Sequence, residues 1–194
     1  MFSIFRFIGA FWVRLFYRIK IIGAGNIPRR GGGVLCANHV YAKDLIVLGC
    51  AVKRKVRWMA KAELFKNPFI GKFLKGLGAF PVKRGMLDRE AVRTTYDLLS
   101  KGEIVGIFPE GTRNRNKEDR TAGKRGFVSF SLKARVPIIP VSLVYGKGPF
   151  KKNQLFSKIK VVIHEQRLLE FDKKYDREEM DAISSEIMKI IYSE

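Results

Sequence analysis

Acidic residues, histidine and cysteine are all scarce in this chain. Asp and Glu number 18 against 38 Lys and Arg, a formal charge of +20. A field of that sign disfavours cationic ligands and draws polyanions: nucleic acid, an anionic membrane face or phosphorylated substrates. There are two histidines and two cysteines, and their spacings hold no paired-ligand motif, so no metal site is expected. Cys36 and Cys50 sit in apolar stretches and are expected as reduced core residues of a cytosolic protein. No Gly-x-Ser-x-Gly elbow occurs, and Cys36 on an apolar strand is a poor nucleophile, so a covalent enzyme intermediate is not expected. No stretch reaches the ~20 uninterrupted apolar residues of a spanning helix. Internal repeats and low-complexity segments are also missing. What is present is 46% hydrophobic residues in 194, enough for one folded domain with its own core and too apolar for global disorder.

The first 22 residues are expected to form an amphipathic helix, set apart from a domain over 23–194; residues 17–22, which alternate poorly, also read as the run into a first strand, and the other reading of the helix is packing on the protein's own core. On a helix, Phe2, Phe5, Trp12, Phe16 and Ile19 share one side, and Arg6, Arg14 and Arg18 run along the other. A broad apolar face with a narrow cationic stripe suits a helix lying in a bilayer interface, with arginines reaching lipid phosphates. A secretory leader fits less well, because no charged region precedes the apolar part. The expectation is monotopic or peripheral association with the cytoplasmic face of the cell membrane.

Beyond residue 22, glycine-rich turns give way to alternating short apolar runs and amphipathic segments. Strands are expected over 34–37, 57–60, 79–82, 104–108 and 138–144, with a half-exposed one over 158–164. Helices are expected over 43–52, 68–77, 88–100 and 126–134, with a last one capped by Asp176 and Glu179. Residues 115–124 form a charged loop. Alternation of this kind predicts an α/β layered domain, a central sheet flanked by helices.

Two segments carry chemistry. Asn38-His39-Val40-Tyr41-Ala42-Lys43-Asp44 follows an apolar run and puts a histidine five residues before a carboxylate. A turn leading into a helix lets Asp44 fold back on the ring, fix its tautomer and support a developing imidazolium. Taken singly, the same residues fit a turn asparagine, a structural histidine and a helix-capping acid. His164, on an alternating strand, is expected to be structural. Phe108-Pro109-Glu110-Gly111-Thr112-Arg113 ends a buried strand in a sharp turn, where α/β proteins bind ligands. Its backbone N–H groups, Thr112 and Arg113 suit a phosphate. A second basic turn, at Lys83-Arg84-Gly85, adds another fork-shaped donor in Arg84.

In their order and spacing these segments resemble the 1-acylglycerol-3-phosphate acyltransferase family of glycerolipid acyltransferases. Asn38, His39 and Asp44 match its first motif, Phe80 to Arg84 its second, and Phe108 to Arg113 its third. Val136-Pro137-Ile138-Ile139-Pro140-Val141 matches the fourth, and Lys61-Ala62-Glu63-Leu64 and Lys124-Arg125-Gly126 match two shorter segments. Tyr41 departs from the family, which often has serine there, and Asn114 stands where serine is frequent.

The resemblance implies transfer of a fatty acyl group from acyl carrier protein or coenzyme A to the free hydroxyl of lysophosphatidic acid, giving phosphatidic acid without a cofactor. His39 is implied as base and Asp44 as its orienter. Asn38, Lys61, Arg84, Glu110, Gly111, Thr112 and Arg113 are implied as substrate-binding. Rival expectations are an acyltransferase using glycerol 3-phosphate or another lysophospholipid, a noncatalytic lipid binder, and a nucleic-acid-binding protein. The last is disfavoured because the aromatics crowd into the N-terminal segment and form no basic stacking platform.

Overall fold

The computed structural model describes residues 15–83, 85, 88–113, 123–146 and 158–194. Seven strands form one sheet: β1 (Arg18–Ile22), β2 (Gly33–Ala37), β3 (Val56–Lys61), β4 (Phe80–Val82), β5 (Ile104–Ile107), β6 (Ile138–Tyr145) and β7 (Lys158–Ile163). Their order is β1-β7-β6-β2-β5-β3-β4. All neighbours are parallel except β6 and β7. The helices among the described residues are α1 (Asp44–Ala51), α2 (Pro68–Gly76), α3 (Arg89–Ser100), α4 (Gly126–Ala134) and α5 (Arg177–Ile191).

The sheet is buried on both faces, as parallel strands require. Leu35 and Ala37 of β2 meet Val47 and Leu48 of α1 and Leu74 of α2 on one face. Val34 and Cys36 meet Leu98 of α3, Phe127 of α4 and Ile187 of α5 on the other. Capping fixes where the helices start. The Asn67 side chain accepts from the N–H of Phe69 and Ile70 ahead of Pro68, and Asp88 accepts from Ala91 N. Asp176 and Glu179 close a reciprocal capping box on α5.

Two sequence expectations change here. The N-terminal helix does not run to Ile22, because Arg18–Ile22 is the edge strand β1, in parallel register with Lys158–Val162. Its backbone covers the otherwise open edge of β7, and Ile19 turns toward the core while Arg18 and Lys20 turn out. Residues 1–14 of that expected helix lie outside the described residues. For the same reason β7 is not half-exposed: with a strand on each side, Ile159, Val161, Val162 and Ile163 are all buried.

The parallel strands β2 to β6 all end on the same edge of the sheet. That edge collects Asn38 and His39 after β2, Lys61 at the end of β3, Lys83 after β4, Phe108 to Arg113 after β5 and Tyr145 at the end of β6.

Candidate active site

β2 stops at Ala37, while β6 continues to Tyr145. The Asn38 side chain replaces the missing ladder: its Nδ2 donates to Leu143 O (2.9 Å) and its Oδ1 accepts from Leu143 N (2.7 Å). Asn38 is buried. That geometry makes its side chain a tether between strands, and it fixes where His39 leaves the sheet.

Asp44 begins α1 and is fully buried. Its Oδ2 accepts from Val40 N (2.7 Å), Tyr41 N (2.9 Å) and His39 Nδ1 (2.9 Å). Its Oδ1 accepts from the Tyr145 hydroxyl. Burial beside this carboxylate pushes the Tyr145 phenol far above its ordinary range, so Tyr145 stays a donor. Four donors around one carboxylate place the proton of the neutral His39 ring on Nδ1, and Nε2 is left as the nitrogen that can take a proton. His39 keeps 13% of its side-chain surface exposed, so the ring reaches solvent.

Beneath the imidazole lies a ring stack. His39 stacks on Phe108 at 4.1 Å and 18°, and Phe108 on Trp58 at 5.3 Å and 17°. Trp58 pairs in register with Gly106 of β5, and a Cβ on Gly106 would stand 2.4 Å from the indole ring. The absent side chain is what lets the indole lie flat. Gly106→Ala is therefore expected to cost about 1–3 kcal/mol by overpacking and to lower turnover by tilting the stack under His39. Urea unfolding together with a rate assay checks this, and an unchanged midpoint with unchanged kcat would contradict it.

The third sequence segment comes in from β5. Gly111 N donates to Phe108 O (3.0 Å), closing a turn in which Gly111 takes a φ of 73°. Glu110 points back into the protein: its Oε2 accepts from His39 N (3.0 Å), and its Oε1 accepts from the Tyr192 hydroxyl after α5. Glu110 therefore braces the turn that carries His39. Burial raises its pKa, outweighing the lowering effect of the two donors. A raised folded-state value contributes stability that is complete below the ordinary carboxylate range (roughly 4.3) and is lost as pH rises through the folded value. Glu110→Gln removes that dependence. Melting curves from pH 4 to 7 should show wild type losing ground to the variant as pH rises, and parallel curves would contradict this reading.

Thr112 and Arg113 are exposed just past the turn, on its solvent side. Lys61 is half-exposed, 3.5 Å from Glu63, and two strand spacings from His39 (roughly 10 Å). Arg84 lies outside the described residues. Its neighbour Lys83 is held by a bond from its N–H to Asp88 Oδ2 (2.8 Å). Between the ends of β4 and β5 and helix α4 is a cavity of about 240 Å³. Its walls combine Met59, Val82, Ile107 and Phe130 with Lys83 and Lys124, which suits a molecule that is apolar at one end and anionic at the other.

The other candidates fall into place as structure. His164 donates from Nε2 to Ser142 Oγ (2.7 Å), and that hydroxyl donates to Ile191 O (2.6 Å). Cys36 is buried, and burial pushes its thiol well up, away from a nucleophile.

Sequence reasoning missed Tyr145, Tyr192, Trp58 and Lys43. The Lys43 ammonium sits over the rings of Tyr17, Tyr41 and Tyr145 at 4.3, 5.0 and 5.1 Å. Tyr145 carried a faint signal, as a hydroxyl ending an apolar strand at the ligand-binding edge. Tyr192 stands 82 residues from Glu110, and nothing local connects them.

Comparison with known proteins agrees with this geometry. A family model described as Acyltransferase matches residues 18–144. A 1-acyl-sn-glycerol-3-phosphate acyltransferase of Bacillus subtilis is 38% identical over 150 residues, covering 76% of this chain and 72% of that protein. One from Borreliella burgdorferi is 30% identical over 171 residues, covering 86% and 68%. The crystal structure of a 1-acyl-sn-glycerophosphate (LPA) acyltransferase from Thermotoga maritima aligns with a TM-score of 0.71 at 23% identity, over 97% of this chain and 77% of that one. With its buried Asp44 holding His39 at the head of the matched region, this chain belongs to the acyltransferase family.

Proposed function

We propose that this protein transfers a fatty acyl group from an acyl thioester to the 2-hydroxyl of 1-acylglycerol 3-phosphate, making phosphatidic acid. One observation carries the chemistry: the His39 ring is bonded through Nδ1 to the buried Asp44, and among the described residues its other nitrogen has no hydrogen-bond partner. The names of the Bacillus and Borreliella relatives support the choice of acceptor. Nε2 of His39 takes the proton of the acceptor hydroxyl as its oxygen attacks the thioester carbonyl carbon. The tetrahedral intermediate then collapses, the C–S bond breaks, and the leaving sulfur takes the proton back from the imidazolium. Asp44 holds the ring in place and stabilises its charged form.

The glycerol phosphate is held by Arg84, Thr112 and Arg113 and by the backbone of Gly111, with Lys61 adding positive charge. Glu110 acts from behind, through His39. The donor is carried on acyl carrier protein or coenzyme A. Acceptor and product are lipids, and the N-terminal segment, residues 1–22, brings the enzyme to an anionic membrane surface; the part of it in β1 joins this role to the sheet. No helix among the described residues is long and apolar enough to cross a membrane; the proposed association is monotopic or peripheral.

Arg84→Ala is expected to raise the acceptor KM roughly 10- to 100-fold, the size of a hydrogen bond to a charged group, with a smaller fall in kcat. An unchanged acceptor KM would remove Arg84 from the phosphate site. The reading as a whole is tested by offering purified enzyme labelled acyl thioesters with 1-acylglycerol 3-phosphate, glycerol 3-phosphate and larger lysophospholipids, and identifying products by mass spectrometry. Phosphatidic acid is the expected product. Acylation of glycerol 3-phosphate alone, or thioester hydrolysis alone, would overturn the assignment.

A further inference from the structure

Helix α2 has apolar residues on the side that faces away from the protein. Gly71 and Leu74 are its buried positions. At 100° per residue, Phe69 and Phe73 fall on the opposite side, and they are 85% and 41% exposed. Ile70 on the flank and Leu64 in the preceding 3-10 turn are also exposed. A surface helix normally turns polar residues outward, and four large apolar side chains, each partly or largely exposed on one helix and its preceding turn, mark a contact surface.

The surroundings of this patch identify what it meets. Between Asp44 and Asp88 the chain carries ten Lys and Arg and a single acidic residue, Glu63. Beside α2 runs a groove of about 560 Å³ in which Lys55, Lys72 and Lys75 stand over Phe65, Pro68 and Gly71. Exposed apolar side chains ringed by ammonium groups match a bilayer with anionic headgroups, where rings sink in and lysines meet phosphates. The patch also has a useful position. The 3-10 turn (Ala62–Phe65) and the start of α2 follow directly from the end of β3, on the sheet edge that carries His39.

We propose that α2 and its preceding turn form a membrane-docking surface, with Leu64, Phe69, Ile70 and Phe73 inserted and Lys55, Lys72 and Lys75 on anionic lipid phosphates. This rests on the lipid-modifying reading above, and it adds α2 to the membrane contact proposed for residues 1–22. A docked α2 would set the tilt of the sheet edge relative to the lipid plane, so that an acceptor leaving the bilayer meets His39.

The test uses the full chain and vesicles of phosphatidylcholine with or without phosphatidylglycerol. F69S/F73S is expected to bind the anionic vesicles about tenfold more weakly or worse, while transfer to a short-chain, water-soluble lysophosphatidic acid stays within about twofold of wild type. F69W should shift its emission to the blue on anionic vesicles, beyond any change seen in wild type. Unaltered vesicle binding by F69S/F73S, or unmoved emission from F69W, overturns the proposal. Intact vesicle binding with lost turnover on acyl carrier protein thioesters also overturns it, making the patch a carrier dock. Intact vesicle binding with loss of a wild-type dimer overturns it in favour of a second copy. Absence of transfer to the soluble acceptor by wild type counts against the acyltransferase reading alone, because vesicle binding is read without turnover.

Discussion

His39→Ala is expected to lower acyl transfer by roughly 10²–10⁴-fold, the range of a positioned general base. The ring has one partner for Nδ1, the Asp44 carboxylate at 2.9 Å, and among the described residues no hydrogen-bond partner for Nε2. Without it the acceptor hydroxyl must lose its proton to water as it attacks. The loss should appear in kcat and in kcat/KM alike, because the interaction develops in the transition state. Acceptor KM should change little, since the phosphate contacts proposed above lie on other groups. Retained wild-type turnover in a folded variant would end the role of His39 as base.

Asp44→Asn is expected to be nearly as costly to turnover, and more damaging to stability than its size suggests. A carboxylate only accepts, and here it accepts from two backbone N–H groups, the Tyr145 hydroxyl and His39 Nδ1. The amide of asparagine must turn N–H toward one of those donors. If the imidazole gives way, its proton moves to Nε2 and the base is lost; in a serine protease this change costs about 10⁴-fold. If a backbone group gives way, a buried donor is left unpaired at about 1–3 kcal/mol. Turnover and urea unfolding measured together should show both effects. A variant with normal stability and normal kcat would mean that Asp44 is a helix cap and no more.

Much of this site was legible because its parts are local. His39 and Asp44 are five residues apart, and a turn running into a helix brings them together whatever the rest of the fold does. The same holds for Phe108 to Gly111, where proline and glycine dictate the turn. The strands and helices between residues 33 and 145 follow apolar periodicity closely for the same reason. Parts that depend on strand order were not legible. The side-chain partner of Asn38 is Leu143, 105 residues away. Those of Glu110 are His39 N, 71 residues away, and the Tyr192 hydroxyl, 82 residues away. Residues 18–22 read both as the tail of a helix, because their aromatic and cationic neighbours continue the pattern, and as the start of a strand, and the open edge of β7 decides for the strand. Gly106 gave no signal at all, since its purpose is the space taken by an indole from another strand.

The steering of one imidazole by one carboxylate is tested most directly by nitrogen-15 NMR of the histidine rings. With only two histidines in the chain, His164→Gln assigns both. In the neutral ring, His39 is predicted to carry its proton on Nδ1 with Nε2 bare, and Asp44→Asn should erase that preference. A His39 ring protonated on Nε2 in the wild-type enzyme would contradict the account.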